Sequence, residues 1–281
     1  MFEVVKTVFL LSCIGGIFVC LLLIIKPLTS KKFPAKWQYI IWLIVACSMV
    51  VPAWKIIPQK NAQIITSNFT TETREEIDTA QNATDTGTLI IEDSPIEYDK
   101  SKPETAPTAK VNYSDILAYS WLGGMCLYLF SALISYWTFL LRKRKGSFDL
   151  LKNEAFESVI AELGIKRKIK VRISNDTSSP MLVGVLFPVV YVPNKSIDKN
   201  AEKMIYRHEL THYKHKDLFF KWFVLFVNAI HWFNPFAYLL SSNVSQACEI
   251  SCDMSVIKEL NDSEQKLYMN TILDLIEKKG R

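Results

Sequence analysis

His208, Glu209 and His212 form an H-E-x-x-H motif, a spacing that suits metal binding on a helix. Residues four apart lie on one face of a helix, so both imidazoles can reach a single tetrahedral Zn²⁺. Glu209 would lie where it can take a proton from water and later return it to a leaving amine. The chain has only four histidines, and three of them, including His215, fall within eight residues. The motif therefore predicts a catalytic zinc site with a third protein ligand and an open fourth position.

The next polar stretch along the chain offers two alternative sets of further ligands. Glu249 would complete an open His₂Glu site, with Asp253 behind one histidine as its orienting partner. Cys248 and Cys252 are also four residues apart and would make a closed Cys₂His₂ structural site with the two histidines. The closed site would leave Glu209 without a role and water without a position, so the glutamate is the favoured ligand.

Long apolar segments precede the motif in this chain of 281 residues, of which 49% are hydrophobic. A helix of about 20 residues crosses the hydrocarbon core of a bilayer. The stretch after the second segment is rich in Thr, Asn, Asp, Glu and Pro and cannot bury enough apolar surface to fold alone. We therefore predict a transmembrane helical hairpin over residues 1–57, a mostly disordered acidic loop over 58–114, a third transmembrane helix over 115–141 and a metal-binding domain over 142–281.

The distribution of charge predicts the topology. Basic residues follow the first and third spans, whereas the loop after the second carries ten acidic and five basic residues. The positive-inside rule places the N-terminus and the acidic loop outside, and residues 26–36 and everything from residue 142 in the cytosol. The net charge is only +5, and the basic residues serve as topology anchors. The lipid bilayer is thus a predicted partner, and direct contact with nucleic acid is not expected.

The sequence after residue 146 predicts a small α+β unit, with a helix capped by Gly164 and three strands. A later helix from about Ala201, capped by Asp198 or a neighbour, carries the H-E-x-x-H motif. Prolines place the last two strands at a sheet edge, where one could bind an extended peptide beside the metal or simply pack the domain. The first helix and the three strands are expected at residues 149–163, 169–173, 179–184 and 188–193.

The apolar run at residues 218–240 is predicted to turn back instead of crossing the membrane. If it crossed, everything after it would lie about 30 Å away on the outer side. No residue there could join the two histidines on one metal, where bonds are about 2 Å long. Pro235 breaks a helix, and the legs on either side would be about 25 and 21 Å long. We therefore predict a membrane-associated helical hairpin over about 218–249 that returns Glu249 to the histidines.

Residues 142–257 resemble the membrane metallopeptidases of the BlaR/MecR type, the β-lactam-responsive antirepressor family. The matching elements, in chain order, are Ser179-Pro180, Gly184, Pro188, Pro193, His208-Glu209-x-x-His212 with Asp217, His231-Trp232-Phe233-Asn234-Pro235-Phe236 and Glu249-x-x-Cys252-Asp253. The resemblance implies His208, His212 and Glu249 as zinc ligands and Glu209 as general base. It also implies a multi-pass α-helical protein of the bacterial cell membrane with a cytosolic α+β gluzincin-like zinc metallopeptidase domain.

The resemblance also implies a function in signal transduction and antibiotic resistance. The chain is expected to be a membrane-embedded zinc endopeptidase that cleaves a cytosolic regulatory protein, such as a DNA-binding repressor. The alternative is a non-proteolytic signalling or scaffold protein with a structural zinc site. A homodimer is compatible with either function. His231, Tyr213 and Tyr268 are the candidates for stabilising an oxyanion.

The sequence departs from antibiotic-sensing members of that family at its end. Those members continue through another span into an outer penicillin-binding sensor, whereas this sequence ends at Arg281. We therefore expect either a fragment or a relative without the C-terminal sensor.

Overall fold

The computed structural model describes residues 2–52, 113–150, 153–195 and 198–279. The predicted acidic loop, residues 58–114, lies outside the described residues except for its last two positions. The last five positions of the predicted first hairpin, residues 53–57, also lie outside them.

The first three helices of the structure are long and apolar: α1 (Phe2–Lys32), α2 (Ala35–Val50) and α3 (Tyr113–Lys145). Among the described residues, two helical stretches are long and apolar enough to cross a membrane, Phe2–Thr29 and Tyr113–Lys145. The described part of α2 is apolar but has only 16 residues. α1 and α2 pack against each other as a helical hairpin. The sidedness of these helices stays a prediction.

A four-stranded sheet follows α3. It consists of β1 (Ser147–Asp149), β2 (Lys170–Ser174), β3 (Met181–Val183) and β4 (Val189–Pro193). The strand order is β1-β2-β4-β3; β2 and β4 are parallel, and the two outer pairs are antiparallel. β2, β3 and β4 correspond to the three predicted strands, so the part of the chain after α3 combines helices with a mixed sheet.

The prediction that both later strands lie at a sheet edge is wrong for β4. β4 lies between β2 and β3, and only β3 is an edge strand on this side of the sheet. Pro188 immediately precedes β4 and Pro193 is its last residue. Because both prolines stand at the ends of the strand, the missing N–H groups leave its central ladder intact.

The predicted helix over residues 149–163 is shorter in the structure. α4 spans Glu154–Glu162 and begins after Asn153, whose side chain accepts a hydrogen bond from the backbone N–H of Phe156 at 3.0 Å. This cap fixes the start of the helix. Residues 147–149 instead pair with β2 as the unpredicted strand β1.

α5 (Lys199–His215) carries the H-E-x-x-H motif and begins where the sequence predicts. Asp198 caps it by accepting hydrogen bonds from the backbone of Asn200 and Ala201. One face of α5 packs on α4 and the sheet through a buried cluster that includes Tyr206, Leu210, Phe156, Val159, Val171 and Val190. This packing leaves the face that carries the two motif histidines directed towards the later helices.

α6 (Asp217–Ile230) and α7 (Pro235–Glu259) pack together with the chain reversal predicted at Pro235. Asn234 caps α7, since its side-chain oxygen accepts a hydrogen bond from the backbone N–H of Phe236 at 2.9 Å. The proline at the first helical position and this cap both favour a new helix start. The depth of this hairpin in a bilayer stays a prediction.

Buried hydrogen bonds join the tip of the α6–α7 hairpin to the first two helices. The side-chain amide of Asn234 donates to Ser12 Oγ on α1 at 2.7 Å. His231 Nε2 lies 3.0 Å from the carbonyl oxygen of Met49 on α2. With its tip fixed in this way, α7 runs back to α5. α8 (Asp262–Lys279) packs on both of them through a buried cluster that includes Met204, Val256, Leu260 and Tyr268.

Candidate metal centre

Three donor atoms from two helices converge at one end of an open cleft. His208 Nε2 and His212 Nε2 of α5 lie 3.2 Å apart. Glu249 Oε2 of α7 lies 3.2 Å from His212 Nε2 and 3.7 Å from His208 Nε2. The hairpin thus brings Glu249 back to the two histidines, although it lies far from them in the sequence.

This donor set fits a zinc ion. Ligands of a tetrahedral zinc ion at about 2.0–2.1 Å are separated from one another by roughly 3.3–3.4 Å. The three measured separations of 3.2, 3.2 and 3.7 Å bracket that value. Two imidazoles and one carboxylate are also the protein ligands of one type of open catalytic zinc site.

Asp217, the first residue of α6, contacts the Nδ1 side of the His212 ring, opposite the Nε2 atom that faces Glu249. Its Oδ2 atom lies 2.7 Å from His212 Nδ1, and the side chain is buried. Tyr39 of α2 donates a hydrogen bond to the other carboxylate oxygen of Asp217 at 3.3 Å. A carboxylate that accepts the Nδ1 proton leaves the Nε2 lone pair free for a metal.

Asp253 and Tyr268 contact the Nδ1 side of the His208 ring in a similar way. Asp253 Oδ1 lies 3.1 Å from His208 Nδ1. The Tyr268 hydroxyl of α8 lies 2.8 Å from the same nitrogen and donates to Asp253 at 2.6 Å. Both histidines therefore have a carboxylate on Nδ1, and both turn Nε2 towards Glu249.

The electrostatics of the cluster favour bound positive charge. Burial is the largest single influence on the pKa of His212 and lowers it, but the hydrogen bonds to Asp217, Cys248, Cys252 and Glu249 together outweigh burial and raise that pKa above its usual value. The pKa of His208 is raised for the same reason, chiefly by Asp253. Burial alone raises the pKa of Glu249, yet the two histidines hold it well below its usual range. Glu249 is therefore ionised at neutral pH, as a metal ligand must be.

The geometry gives less support to the cysteine alternative. Cys252 Sγ lies 3.9 Å from His208 Nδ1, and Cys248 Sγ lies 3.9 Å from His212 Nδ1. Both sulfurs thus approach ring nitrogens that already contact carboxylates. Among the described residues, the sulfurs fall in different candidate metal clusters, one of His208, His212 and Cys252 and the other of His212, Asp217 and Cys248. A Cys₂His₂ site would require these side chains to rearrange.

The cleft beside the donor atoms has a volume of about 740 Å³. Glu209 lines it together with His208, His212 and Glu249. Residues 179–184, which include the edge strand β3, form one wall of the cleft. α3 and α8 also contribute to the lining, through Tyr136, Phe139, Ile272 and Leu275.

Of the three predicted oxyanion candidates, the structure places one far from the donor atoms. His231 lies at the far end of α6, about 20 Å along the helix from Asp217, and its ring is hydrogen-bonded to the carbonyl oxygen of Met49, so this prediction is wrong. Tyr213 packs against the buried cluster between α5, α4 and the sheet, and the Tyr268 hydroxyl lies 2.8 Å from His208 Nδ1. An oxyanion role for these two residues stays a prediction.

Asp217 and Lys221 contact two of the candidate ligands. The sequence interpretation named Asp217 only as part of the matching motif and did not place Lys221 in the site. Lys221 Nζ lies 3.2 Å from Glu249 Oε1, and Lys221 lines the cleft. Both residues lie in the first turns of α6, four positions apart on one helix face. The charge of Lys221 within the apolar run at residues 218–240 was an available signal, since ionisable residues in such runs are often functional.

A family model described as BlaR1 peptidase M56 matches residues 6–281. The chain belongs to this family. It is 28% identical to the regulatory protein BlaR1 of Bacillus licheniformis over 167 residues, which cover 57% of this chain and 28% of that protein. It is 25% identical to the methicillin resistance mecR1 protein of Staphylococcus aureus over 280 residues, which cover 94% of this chain and 45% of that protein. The matches confirm the resemblance, and the chain spans less than half the length of these relatives.

Replacing Asp217 with asparagine is expected to lower the zinc affinity of this M56 peptidase chain about 10- to 100-fold. Asparagine keeps the shape of the side chain but removes the carboxylate that orients His212 and makes its ring more basic. Zinc affinity is measured by competition with a chromogenic chelator. Asp262→Asn, at the start of α8, is the matched control. An affinity of Asp217→Asn equal to that of the control would contradict the orienting role.

Proposed function

We propose that this chain is a membrane-embedded zinc endopeptidase that acts in signal transduction by cleaving a cytosolic regulatory protein. The observation that carries this proposal is the convergence of His208 Nε2, His212 Nε2 and Glu249 Oε2 within 3.7 Å of one another, in a cleft that Glu209 also lines. Three protein donors and a neighbouring carboxylate fit the requirements of zinc-dependent peptide hydrolysis.

His208, His212 and Glu249 would hold the metal, with Asp217 and Asp253 orienting the two rings. When bound, zinc supplies a Lewis acid that polarises the scissile carbonyl and makes water more acidic. Glu209 accepts the proton of the attacking water and returns it to the nitrogen of the leaving amine.

The edge strand β3 is the proposed binding element for the substrate backbone. β3 pairs with β4 on one side only, and residues 179–184 face the cleft. An extended peptide can therefore add to the free edge, where main-chain hydrogen bonds align it independently of its sequence. A peptide bound in this way would have its scissile bond beside the three donor atoms and Glu209.

The proposed site faces the cytosol at the membrane surface. Two helices of spanning length and the basic end of α3, Arg142–Lys145, support a membrane location with this end inside. The curated relatives carry the names regulatory protein and methicillin resistance protein. These names agree with a role in regulation, and the proposed class of substrate, a repressor that binds DNA, is the one that the family resemblance implies.

The test is a comparison of wild-type protein with Glu209→Gln, each reconstituted with zinc in lipid nanodiscs. Both are incubated with a proteome-derived peptide library, and new peptide N-termini are identified by mass spectrometry. The proposal predicts new termini with a shared sequence preference for the wild-type protein only. A non-proteolytic scaffold with structural zinc predicts no new termini in either sample, and that result would contradict a peptidase.

A further inference from the structure

Lys221 lies beside the candidate metal centre and contacts one of its three donor residues. It lies four residues after Asp217, so both side chains project from one face of α6. Asp217 contacts His212 of α5, and Lys221 contacts Glu249 of α7. A single turn of α6 thus supports two of the three donor residues, although these come from different helices.

The two carboxylate oxygens of Glu249 have different partners. Oε2 lies 3.2 Å from His212 Nε2 and 3.7 Å from His208 Nε2, where a metal ion would bind. Oε1 lies 3.2 Å from Lys221 Nζ, on the side of the cleft. The lysine therefore holds the outer oxygen while the inner oxygen faces the imidazoles.

We propose that Lys221 is a positioning residue that keeps Glu249 a single-oxygen ligand. A carboxylate can bind a cation through one oxygen or through both. With Oε1 held by the ammonium group, only Oε2 is available to the metal, and one coordination position stays open for water. Without that contact, rotation of the carboxylate would bring both oxygens to the metal and fill the open position. This inference rests on the zinc site of the proposed function.

The contact between Lys221 and Glu249 is also an ion pair at the protein surface, and an ion pair with no other role would affect only folding stability. Both side chains are partly exposed, 43% for Lys221 and 47% for Glu249. Exposed pairs of this kind contribute little to folding stability. The proposal therefore predicts an effect on the metal, with folding stability unchanged, because the contact acts on a ligand atom.

The test compares Lys221→Met and Lys221→Gln, which remove the charge, with Lys221→Arg, which keeps a donor for Oε1. Lys258→Met, an exposed position on α7, is the matched control. The coordination number is followed in the cobalt-substituted protein by the intensity of its visible absorption. Thermal unfolding of each variant in nanodiscs is recorded without metal, because a bound metal would itself stabilise the folded state.

Both uncharged variants are expected to show weaker visible cobalt absorption, because a second Glu249 oxygen raises the coordination number. Lys221→Arg should keep the wild-type absorption, and thermal unfolding of the metal-free variants should match that of the control. If the uncharged variants have the cobalt spectrum of Lys258→Met, the inference is overturned.

These readouts do not depend on peptidase activity. A wild-type protein that cleaves no peptide would contradict the proposed function, while a Lys221-dependent cobalt spectrum would still support the positioning role. Conversely, an active wild-type protein with a spectrum unaffected by Lys221→Met would contradict the positioning role alone.

Discussion

Glutamine at position 209 is expected to lower the rate of peptide cleavage by about 10² to 10⁴-fold while zinc remains bound. Glu209 lines the cleft beside the three donor atoms. Glutamine has nearly the same size, but its amide cannot accept the proton of water. The loss should therefore appear in kcat, with the zinc content unchanged.

This prediction is checked with a fluorogenic peptide taken from the library cleavage products, together with metal analysis of the same samples. Glu157→Gln, at an exposed position in the first turn of α4, makes the same chemical change away from the cleft and should retain wild-type activity. Wild-type rates in Glu209→Gln would show that another group accepts the proton.

Alanine at position 249 is expected to reduce bound zinc from about one ion per chain to nearly none, because an open site has only three protein ligands. The double variant Cys248→Ser and Cys252→Ser is expected to keep its zinc. In the structure, Glu249 Oε2 approaches both Nε2 atoms, whereas the sulfurs lie 3.9 Å from Nδ1 atoms that contact carboxylates.

Zinc content is measured by atomic emission after dialysis against a metal-free buffer. The two variants serve as controls for each other, since both change α7 within one turn. Retention of zinc by Glu249→Ala together with its loss from the cysteine double variant would establish the closed Cys₂His₂ site and remove the basis for a peptidase.

Much of the candidate site was predictable because local geometry and chain length constrain it. Residues four apart on a helix share a face, which fixes the relation of His208 to His212. Pro235 stops one helix and begins another, and the similar length of the two legs returns Glu249 to its partners. The structure shows this reversal, and it brings the three donor atoms together.

The parts that the sequence did not predict depend on contacts between distant elements. The hydrogen bond from Tyr39 to Asp217 joins residues 178 positions apart, and no periodicity in either helix encodes it. The charge of Lys221 within an apolar run marked it as unusual, but the sequence did not show that its partner is Glu249, 28 positions further along. The oxyanion candidate His231 failed for a related reason, because its position in the sequence does not reveal that Met49 is its hydrogen-bond partner.

The same contacts connect the metal centre to the N-terminal helices. Tyr39 of α2 bonds to Asp217 behind His212. Lys26 of α1 donates to Asn243 and Gln246 on α7, within two turns of Glu249. α6 is therefore hydrogen-bonded to α2, and α7 is hydrogen-bonded to α1. Through these contacts the first helical hairpin packs against the helices that surround the candidate metal centre.

The most direct test of the zinc site is X-ray absorption at the zinc K-edge of the wild-type protein in nanodiscs. The site built from His208, His212 and Glu249 predicts only nitrogen and oxygen neighbours, at about 2.0–2.2 Å, with the outer-shell scattering of two imidazoles. A shell of sulfur at about 2.3 Å would show that the cysteines bind the metal and would contradict the open catalytic site.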